Sequence, residues 1–262
     1  MVLSKPYQIY VLFVTLIITH CISYARVESC TFFVTNKCPF NIWPATAPNV
    51  GHPVVANGGF YLPSGKTRSF QVPGDWSGRV WARTGCDFDS NHRTLCETGD
   101  CDGKLECCGS IGLPPATLVE ITLEVDQGRP SSYDVSLVDG YNLPVSVSTT
   151  RSSPECYIGG CSKNLNDASV CPPELRVLNN AGKVVACKSA CLAFNADPFC
   201  CRNEYGSPDK CRPTLYSKIF KNACPSYVSY AYDRPSPAVN CWSDKYWFTF
   251  CPDKLRTGGS ST

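Results

Sequence analysis

The chain has 262 residues, a formal net charge of +2 and 19 cysteines. A charge this close to zero argues against a nucleic-acid-binding protein, because such proteins carry a strongly basic surface. Only His52 and His92 follow the leader described next. So few histidines argue against a histidine-centred catalytic triad or metal site.

Residues 1–29 are predicted to be a signal peptide. Lys5 supplies the positive charge at its start, and residues 9–18 form an uncharged run. That run is too short to span a bilayer, which takes about 20 residues. We expect cleavage after Ser29, with Ala25 and an uncleaved anchor as alternatives. The protein is then expected to be secreted to the apoplast, with the vacuole as the alternative.

The cysteines indicate an oxidised protein. Cys21 lies in the leader, and the other 18 of the 19 cysteines follow it. An even number of cysteines behind a secretion signal is typical of a disulfide framework. Adjacent pairs such as Cys107 and Cys108 also suit disulfides better than zinc. We therefore expect no bound metal and no cofactor.

The first part of the mature chain is predicted to be β-structure. In residues 117–125, Val119, Ile121 and Leu123 alternate with polar residues such as Glu120, which predicts a half-buried antiparallel strand. The clearest predicted strands cover residues 30–35, 40–43, 66–71, 79–83, 117–125 and 132–137.

Two cysteine-rich segments interrupt this pattern. Residues 86–113 are predicted to form a small disulfide-stapled lobe. Residues 156–224 are predicted to form a larger insertion with short helices at 189–194 and 214–222. The fold class is mainly β, an antiparallel β-sandwich core with two disulfide-rich insertions. The sandwich would take residues 30–85, 114–155 and 225–253, followed by a polar tail at 254–262.

Several short stretches occur in order along the chain. They are residues 38–44 (CPFNIWP), 78–86 (GRVWARTGC), 96–101 (CETGDC), 114–120 (PPATLVE), 136–142 (SLVDGYN) and 250–252 (FCP). With the cysteine spacing, they resemble thaumatin-like proteins, the plant defence-related group that includes thaumatin and osmotin. The resemblance covers essentially the whole mature chain. It departs at residues 92–95, which are usually Gly-rich in the family, and after Cys224, where an Asp often follows the Pro.

The resemblance implies eight disulfides, a pattern that spacing alone cannot choose among the possible connectivities. The implied pairs are Cys38–Cys251, Cys86–Cys96, Cys101–Cys107, Cys156–Cys241, Cys161–Cys224, Cys171–Cys187, Cys191–Cys200 and Cys201–Cys211. Cys30 and Cys108 fall outside this set. We predict a ninth bridge between them, with two free thiols or an intermolecular link as the alternatives.

The resemblance also implies an acidic cleft between the sandwich and the larger insertion. Its members would be Arg79, Glu120, Asp134, Asp139 and Asp233. The residue pattern supports convergence only in part, because Asp134 and Asp139 lie five residues apart and need a bend between them. Such a cleft would suit a cationic or polyhydroxylated surface. The alternative is that these are ordinary surface carboxylates paired with Arg or Lys.

We expect a monomeric, antifungal defence protein that binds β-1,3-glucan or another fungal surface component through this cleft. The first alternative is a weak endo-β-1,3-glucanase with Glu120 as general acid and Asp139 or Asp134 as nucleophile or base. A taste-active role is disfavoured by the near-neutral charge. Candidate sugar-stacking aromatics, which are more often buried sheet residues, are Phe40, Trp43, Tyr133, Tyr141, Tyr227 and Tyr230.

Overall fold

The computed structural model describes residues 29–88, 96–124, 129–150, 153–233 and 238–252. The predicted leader up to residue 28, the segment 92–95 and the tail 254–262 lie outside the described residues. Within the described ranges, no helix has both the length and the apolar character needed to cross a membrane.

Two β-sheets and one hairpin organise the described residues. The strands are β1 Ser29–Asn36, β2 Trp43–Pro48, β3 Thr67–Pro73, β4 Ser77–Arg83, β5 Leu118–Thr122, β6 Ser131–Ser136, β7 Val145–Thr149, β8 Arg176–Leu178, β9 Val184–Cys187, β10 Val239–Cys241 and β11 Lys245–Phe250. One sheet has the order β3-β1-β11-β7, the other the order β10-β6-β5-β4-β2, and β8 pairs with β9. The prediction of a mainly β sandwich with disulfide-rich insertions is confirmed.

One strand pair differs from the antiparallel pattern that the sequence predicts. β1 and β11, from opposite ends of the mature chain, pair in parallel, with Phe32 opposite Tyr246. A disulfide between Cys38 and Cys251 joins the chain just beyond the ends of these two strands. The two termini of the sandwich are therefore held side by side in one sheet.

The main core lies between the two sheets. Phe32 is fully buried there, and its ring meets four other aromatic rings edge-on. Those rings belong to Phe70, Trp76, Tyr246 and Phe248, with centroid separations of 4.9 to 5.9 Å. Edge-to-face pairs add stability beyond the apolar area that they bury.

A second, smaller core lies on the outer face of the five-stranded sheet. Trp81 and Leu118 are buried there together with Cys101 and Cys107 of the small lobe. The Trp81 indole donates a hydrogen bond of 2.8 Å to the Gly99 carbonyl. β5 is therefore buried on both faces at its Leu118 end. The prediction of a half-buried strand fails there because the lobe covers the polar face.

Arg83 joins this lobe to the sheet. Its side chain is fully buried, and its guanidinium donates to the carbonyls of Trp43, Lys104 and Leu105 at 2.6 to 3.0 Å. Burial lowers the pKa of Arg83 to about 10, although the nearby Asp100 carboxylate opposes this shift. A buried cation with complete hydrogen bonding is expensive to disturb.

The larger insertion contains three short helices, α1 Ala190–Phe194, α2 Asp197–Cys200 and α3 Leu215–Ala223. Side-chain caps begin two of them. The Ser189 hydroxyl accepts from the Leu192 amide, and Thr214 forms a capping box with Ser217. Such caps satisfy backbone donors that the first helical turn leaves unpaired.

Disulfides hold the insertions to the sandwich and to themselves. The structure contains the same eight pairs that the resemblance implies: Cys38–Cys251, Cys86–Cys96, Cys101–Cys107, Cys156–Cys241, Cys161–Cys224, Cys171–Cys187, Cys191–Cys200 and Cys201–Cys211. In Cys38–Cys251 the partners lie 213 residues apart in sequence.

The predicted ninth bridge, between Cys30 and Cys108, is wrong, because the structure does not join these two residues. Cys30 is buried in the core between the sheets, with its sulfur 3.8 Å from the Ser243 carbonyl oxygen. Cys108 is exposed in the small lobe. Its amide donates a hydrogen bond of 3.2 Å to the Asn57 carbonyl, whereas Cys30 lies on β1 beside Ser243.

We predict that Arg83→Met destabilises the protein by about 3 kcal/mol, because three partly buried carbonyls lose their donor and the packing around the buried guanidinium is disturbed. Guanidinium unfolding with the disulfides intact measures this change. The exposed Arg212→Met removes the same charge and serves as the control, with an expected effect within about 0.5 kcal/mol. Equal effects of the two substitutions would contradict this role of Arg83.

Candidate functional site

Three charged side chains form a row across neighbouring strands of the five-stranded sheet. Arg79 of β4 lies opposite Glu120 of β5, and Glu120 lies opposite Asp134 of β6. Side chains directly opposite each other on one face have Cβ atoms about 4.5 to 5.5 Å apart. The Arg79 Nε and Glu120 Oε1 atoms are 3.4 Å apart. We call Arg79, Glu120 and Asp134 the charged row.

The charged row lines a groove of about 150 Å³. The side chains of Arg79 and Glu120 are 36% and 41% exposed, so both are accessible from solvent. Asp134 is half-buried. Its Oδ1 atom is fully buried and has no hydrogen-bond partner among the described residues. An unsatisfied buried oxygen at the edge of a groove indicates a position for a ligand hydroxyl, a water or a proton.

Burial and charge together favour a proton on Asp134. Burial, with a smaller contribution from the neighbouring Glu120 carboxylate, raises the pKa of Asp134 to about 7. Burial also raises the pKa of Glu120, as does the charge of Asp139, but Arg79 acts in the opposite direction. Since Arg79 contacts Glu120, we infer that Glu120 ionises first and Asp134 keeps its proton longer.

Asp139 acts on the charged row from a distance. It is exposed in the turn that follows β6, where Gly140 takes a φ of +91°. A Cβ atom on Gly140 would lie 2.6 Å from the Cβ of Pro115, so the turn needs glycine. Asp139 is not among the residues that line the groove, but its charge reaches Glu120.

Asp233 has internal partners. Its side chain is 7% exposed, and its Oδ2 atom lies 3.0 Å from the Lys221 amine. The same oxygen accepts hydrogen bonds from the backbone and the hydroxyl of Ser229. Asp233 does not line the groove of the charged row. The structure therefore brings Arg79, Glu120 and Asp134 together, with Asp139 nearby, and places Asp233 in a loop contact.

Polar neighbours complete the groove, and the sequence analysis missed them. Asn49, Thr122 and Ser132 line it. The Asn49 amide and the Thr122 hydroxyl both lie 2.8 Å from the Ser77 hydroxyl. The alternation of β4 and β5 could have indicated Ser77 and Thr122, because it places them on the same face as Arg79 and Glu120. Asn49 follows β2, where no alternation indicates which way its side chain points.

The aromatic candidates divide into buried and accessible residues. Tyr133, Tyr141 and Tyr227 are almost fully buried and cannot stack against a sugar. Phe40 is 44% exposed and lies, with Trp43, in a separate groove. Across the described parts of the chain, no group of three or more His, Cys, Asp or Glu side chains is arranged to hold a metal ion.

Comparison with known proteins identifies the family. The Thaumatin family model matches residues 36–252. The chain belongs to the thaumatin family. It is 49% identical over 234 residues to a thaumatin-like protein of Arabidopsis thaliana, covering 88% of this chain and 93% of the relative. It is also 48% identical over 221 residues to pathogenesis-related protein 5 of the same plant, covering 84% and 90%.

Further members of the family and one solved structure are also similar. An osmotin-like protein of Solanum lycopersicum is 46% identical over 213 residues, covering 81% of this chain and 84% of that protein. A laminaripentaose-producing β-1,3-glucanase, solved with laminaritetraose, superposes with a TM-score of 0.59. The two proteins share 10% sequence identity, and the superposition covers 85% of this chain and 98% of the glucanase chain. At that identity the likeness concerns the fold alone.

We predict that Asp134 titrates near pH 7, well above an ordinary aspartate. A carboxyl whose pKa is raised on folding stabilises the protein at low pH, and this contribution is lost as pH rises from about 4 to 7. Carbon-13 NMR of the Asp134 carboxyl measures the titration directly. Relative to the wild type, the free energy of unfolding of Asp134→Asn should rise by roughly 2 kcal/mol across that pH interval. A fully buried carboxyl would give a larger change, but here the groove is open to water.

The matched control is the exposed Asp209→Asn, which removes the same charge away from the sheet. Its stability relative to the wild type should change little over the same interval. Titration of Asp134 below about pH 5 would contradict the assignment of a proton to this residue.

Proposed function

We propose that this thaumatin-family protein is a secreted defence protein that binds β-1,3-glucan or a related fungal surface component through the charged row. The main support for this proposal is the direct alignment of Arg79, Glu120 and Asp134 across three strands. The named relatives, a pathogenesis-related protein and an osmotin-like protein, support a defence role.

The chemistry of the row suits a polyhydroxylated ligand. Arg79 donates hydrogen bonds, ionised Glu120 accepts them, and protonated Asp134 does both. A glucan hydroxyl is both a donor and an acceptor, so neighbouring hydroxyls match this set. Hydrogen bonds to charged groups contribute about 1.5 to 3 kcal/mol each, more than those between neutral groups.

The scaffold suits an extracellular setting. Eight disulfides join the described residues, and such bonds form and persist in oxidising compartments. One of them, Cys101–Cys107, packs against Trp81 of β4 and Leu118 of β5. A site built on fixed strands loses little conformational freedom when it binds a ligand. The proposed antifungal role therefore rests on a preformed groove.

Binding to β-1,3-glucan tests this function. Isothermal titration with laminaritetraose and co-sedimentation with insoluble β-1,3-glucan should both detect binding by the wild type. The Glu120→Gln/Asp134→Asn double variant should bind about tenfold more weakly, because it loses the charge on Glu120 and the proton of Asp134. Asp209→Asn should bind like the wild type. Equal binding by all three proteins would contradict the proposal.

A weak endo-β-1,3-glucanase is the second candidate, and the raised pKa of Asp134 favours it. A carboxyl that stays protonated near neutral pH can act as a general acid. Asp134 would then donate the proton, and Glu120, ionised beside Arg79, would act as nucleophile or base. This exchanges the roles that the sequence analysis gave to Glu120 and Asp134.

Reducing-sugar release from linear β-1,3-glucan tests this second function. If the protein is an enzyme, release should fall as pH rises through about 7, because Asp134 loses its proton. Glu120→Gln and Asp134→Asn should each lower the rate by at least about 100-fold. No difference between the wild type and Glu120→Gln would rule out hydrolysis at this site and leave binding alone.

A further inference from the structure

A second and larger groove lies where β2 begins and β4 ends. Its volume is about 810 Å³, within the range of about 300 to 1,000 Å³ that is typical of ligand sites. It shares no lining residue with the groove of the charged row. We call it the lysine groove and define it by Phe40, Trp43, Lys163, Asn164, Asn166 and Lys183.

Aromatic side chains form one wall of the lysine groove. Phe40 is 44% exposed, and Trp43 is half-buried. Trp43 is held by ring contacts with Tyr61 at 5.6 Å and with Phe88 at 6.2 Å. Its carbonyl also accepts a hydrogen bond from Arg83. Fixed, accessible aromatic side chains are typical of the walls of ligand-binding grooves.

A fixed amide supplies an acceptor. The Asn166 side-chain nitrogen donates to the carbonyls of Asn142 at 2.7 Å and Val185 at 3.1 Å. These bonds determine the orientation of the amide. The Asn166 Oδ1 atom is buried and has no hydrogen-bond partner among the described residues. A buried acceptor without a partner is costly, so a ligand hydroxyl that reaches it gains a favourable bond.

Two lysines give the groove a positive charge. Lys163 and Lys183 are both exposed, and neither forms an ion pair with any described residue. Among the described residues that line the groove, the one carboxylate belongs to Glu97, and it already accepts a hydrogen bond from Asn179. An anionic ligand therefore meets two cations and little repulsion.

Both lysines sit on anchored backbone. Lys163 lies two residues after Cys161, which forms a disulfide with Cys224. The backbone amide of Lys163 donates a hydrogen bond to the Ala223 carbonyl. Lys183 ends a tight turn in which its amide donates to the Asn179 side chain. The two ammonium groups are thus carried by loops of fixed shape, which lowers the entropic cost of binding.

We propose that the lysine groove binds a polysaccharide that carries carboxylate groups, that is, a chain of uronic acid units. Sugar rings would lie against Phe40 and Trp43, a hydroxyl would donate to Asn166, and carboxylates would pair with Lys163 and Lys183. The two grooves of the protein would then bind different glycans. The groove of the charged row would bind a neutral glucan, and the lysine groove would bind an acidic polysaccharide.

Isothermal titration with a galacturonic acid tetrasaccharide tests this proposal. The wild type should bind it with an affinity that falls as salt is added, whereas laminaritetraose should not occupy this groove. Lys163→Gln/Lys183→Gln should weaken binding about tenfold through the loss of two charged contacts. Phe40→Ala should weaken it as well. The matched control Lys218→Gln/Lys245→Gln removes two exposed positive charges elsewhere and should bind like the wild type.

Other outcomes overturn the proposal. Equal weakening by the control pair would mean that net charge alone attracts the anion. Competition by inorganic phosphate at the same concentration would mean that the groove is a simple anion site. Absence of binding to the wild type would contradict the proposal. Glu120→Gln/Asp134→Asn should leave uronate binding unchanged, so the result does not depend on whether the charged row binds glucan.

Discussion

The register of β4, β5 and β6 is the constraint on which the site depends. Because side chains alternate between faces, Val80, Val119 and Val135 point into the core while their neighbours Arg79, Glu120 and Asp134 point outward. A slip of one residue would place Glu120 in the apolar core and Val119 in water. The burial of the valines therefore fixes the alignment of the charged row. The same interactions that fold the sheet build the groove.

The scaffold tolerates a carboxyl in an unfavourable place. Above pH 7, the ionised Asp134 costs folding free energy because it is partly buried beside Glu120. The disulfides act against this cost by restricting the unfolded chain. In the chain-entropy model, a closure as long as Cys38–Cys251 contributes about 5 kcal/mol, although such contributions do not add across many bridges. Arg83 and the small lobe cover the outer face of the sheet around Trp81 and Leu118, beside the charged row.

The sequence predicted the local features better than the long-range ones. Alternation in β5 correctly separated Val119 from Glu120, since each strand carries that signal alone. Alternation cannot choose partner strands, so the row of Arg79, Glu120 and Asp134 came from the family resemblance. Cys30 and Cys108 are the two cysteines left over from the eight pairs that the resemblance implies, but being left over does not bring two thiols within bonding distance. Similarly, nothing near Asp233 in sequence indicates that Lys221 and Ser229 bind its carboxylate.

The most direct test of the central claim is a crystal structure of the protein with laminaritetraose, prepared below pH 7 so that Asp134 keeps its proton. We expect sugar hydroxyls within about 3 Å of the Glu120 and Asp134 carboxyl oxygens and of the Arg79 guanidinium. We also expect β4, β5 and β6 to keep the positions that they have in the free protein. A tetrasaccharide bound elsewhere, with the charged row left to solvent, would contradict it.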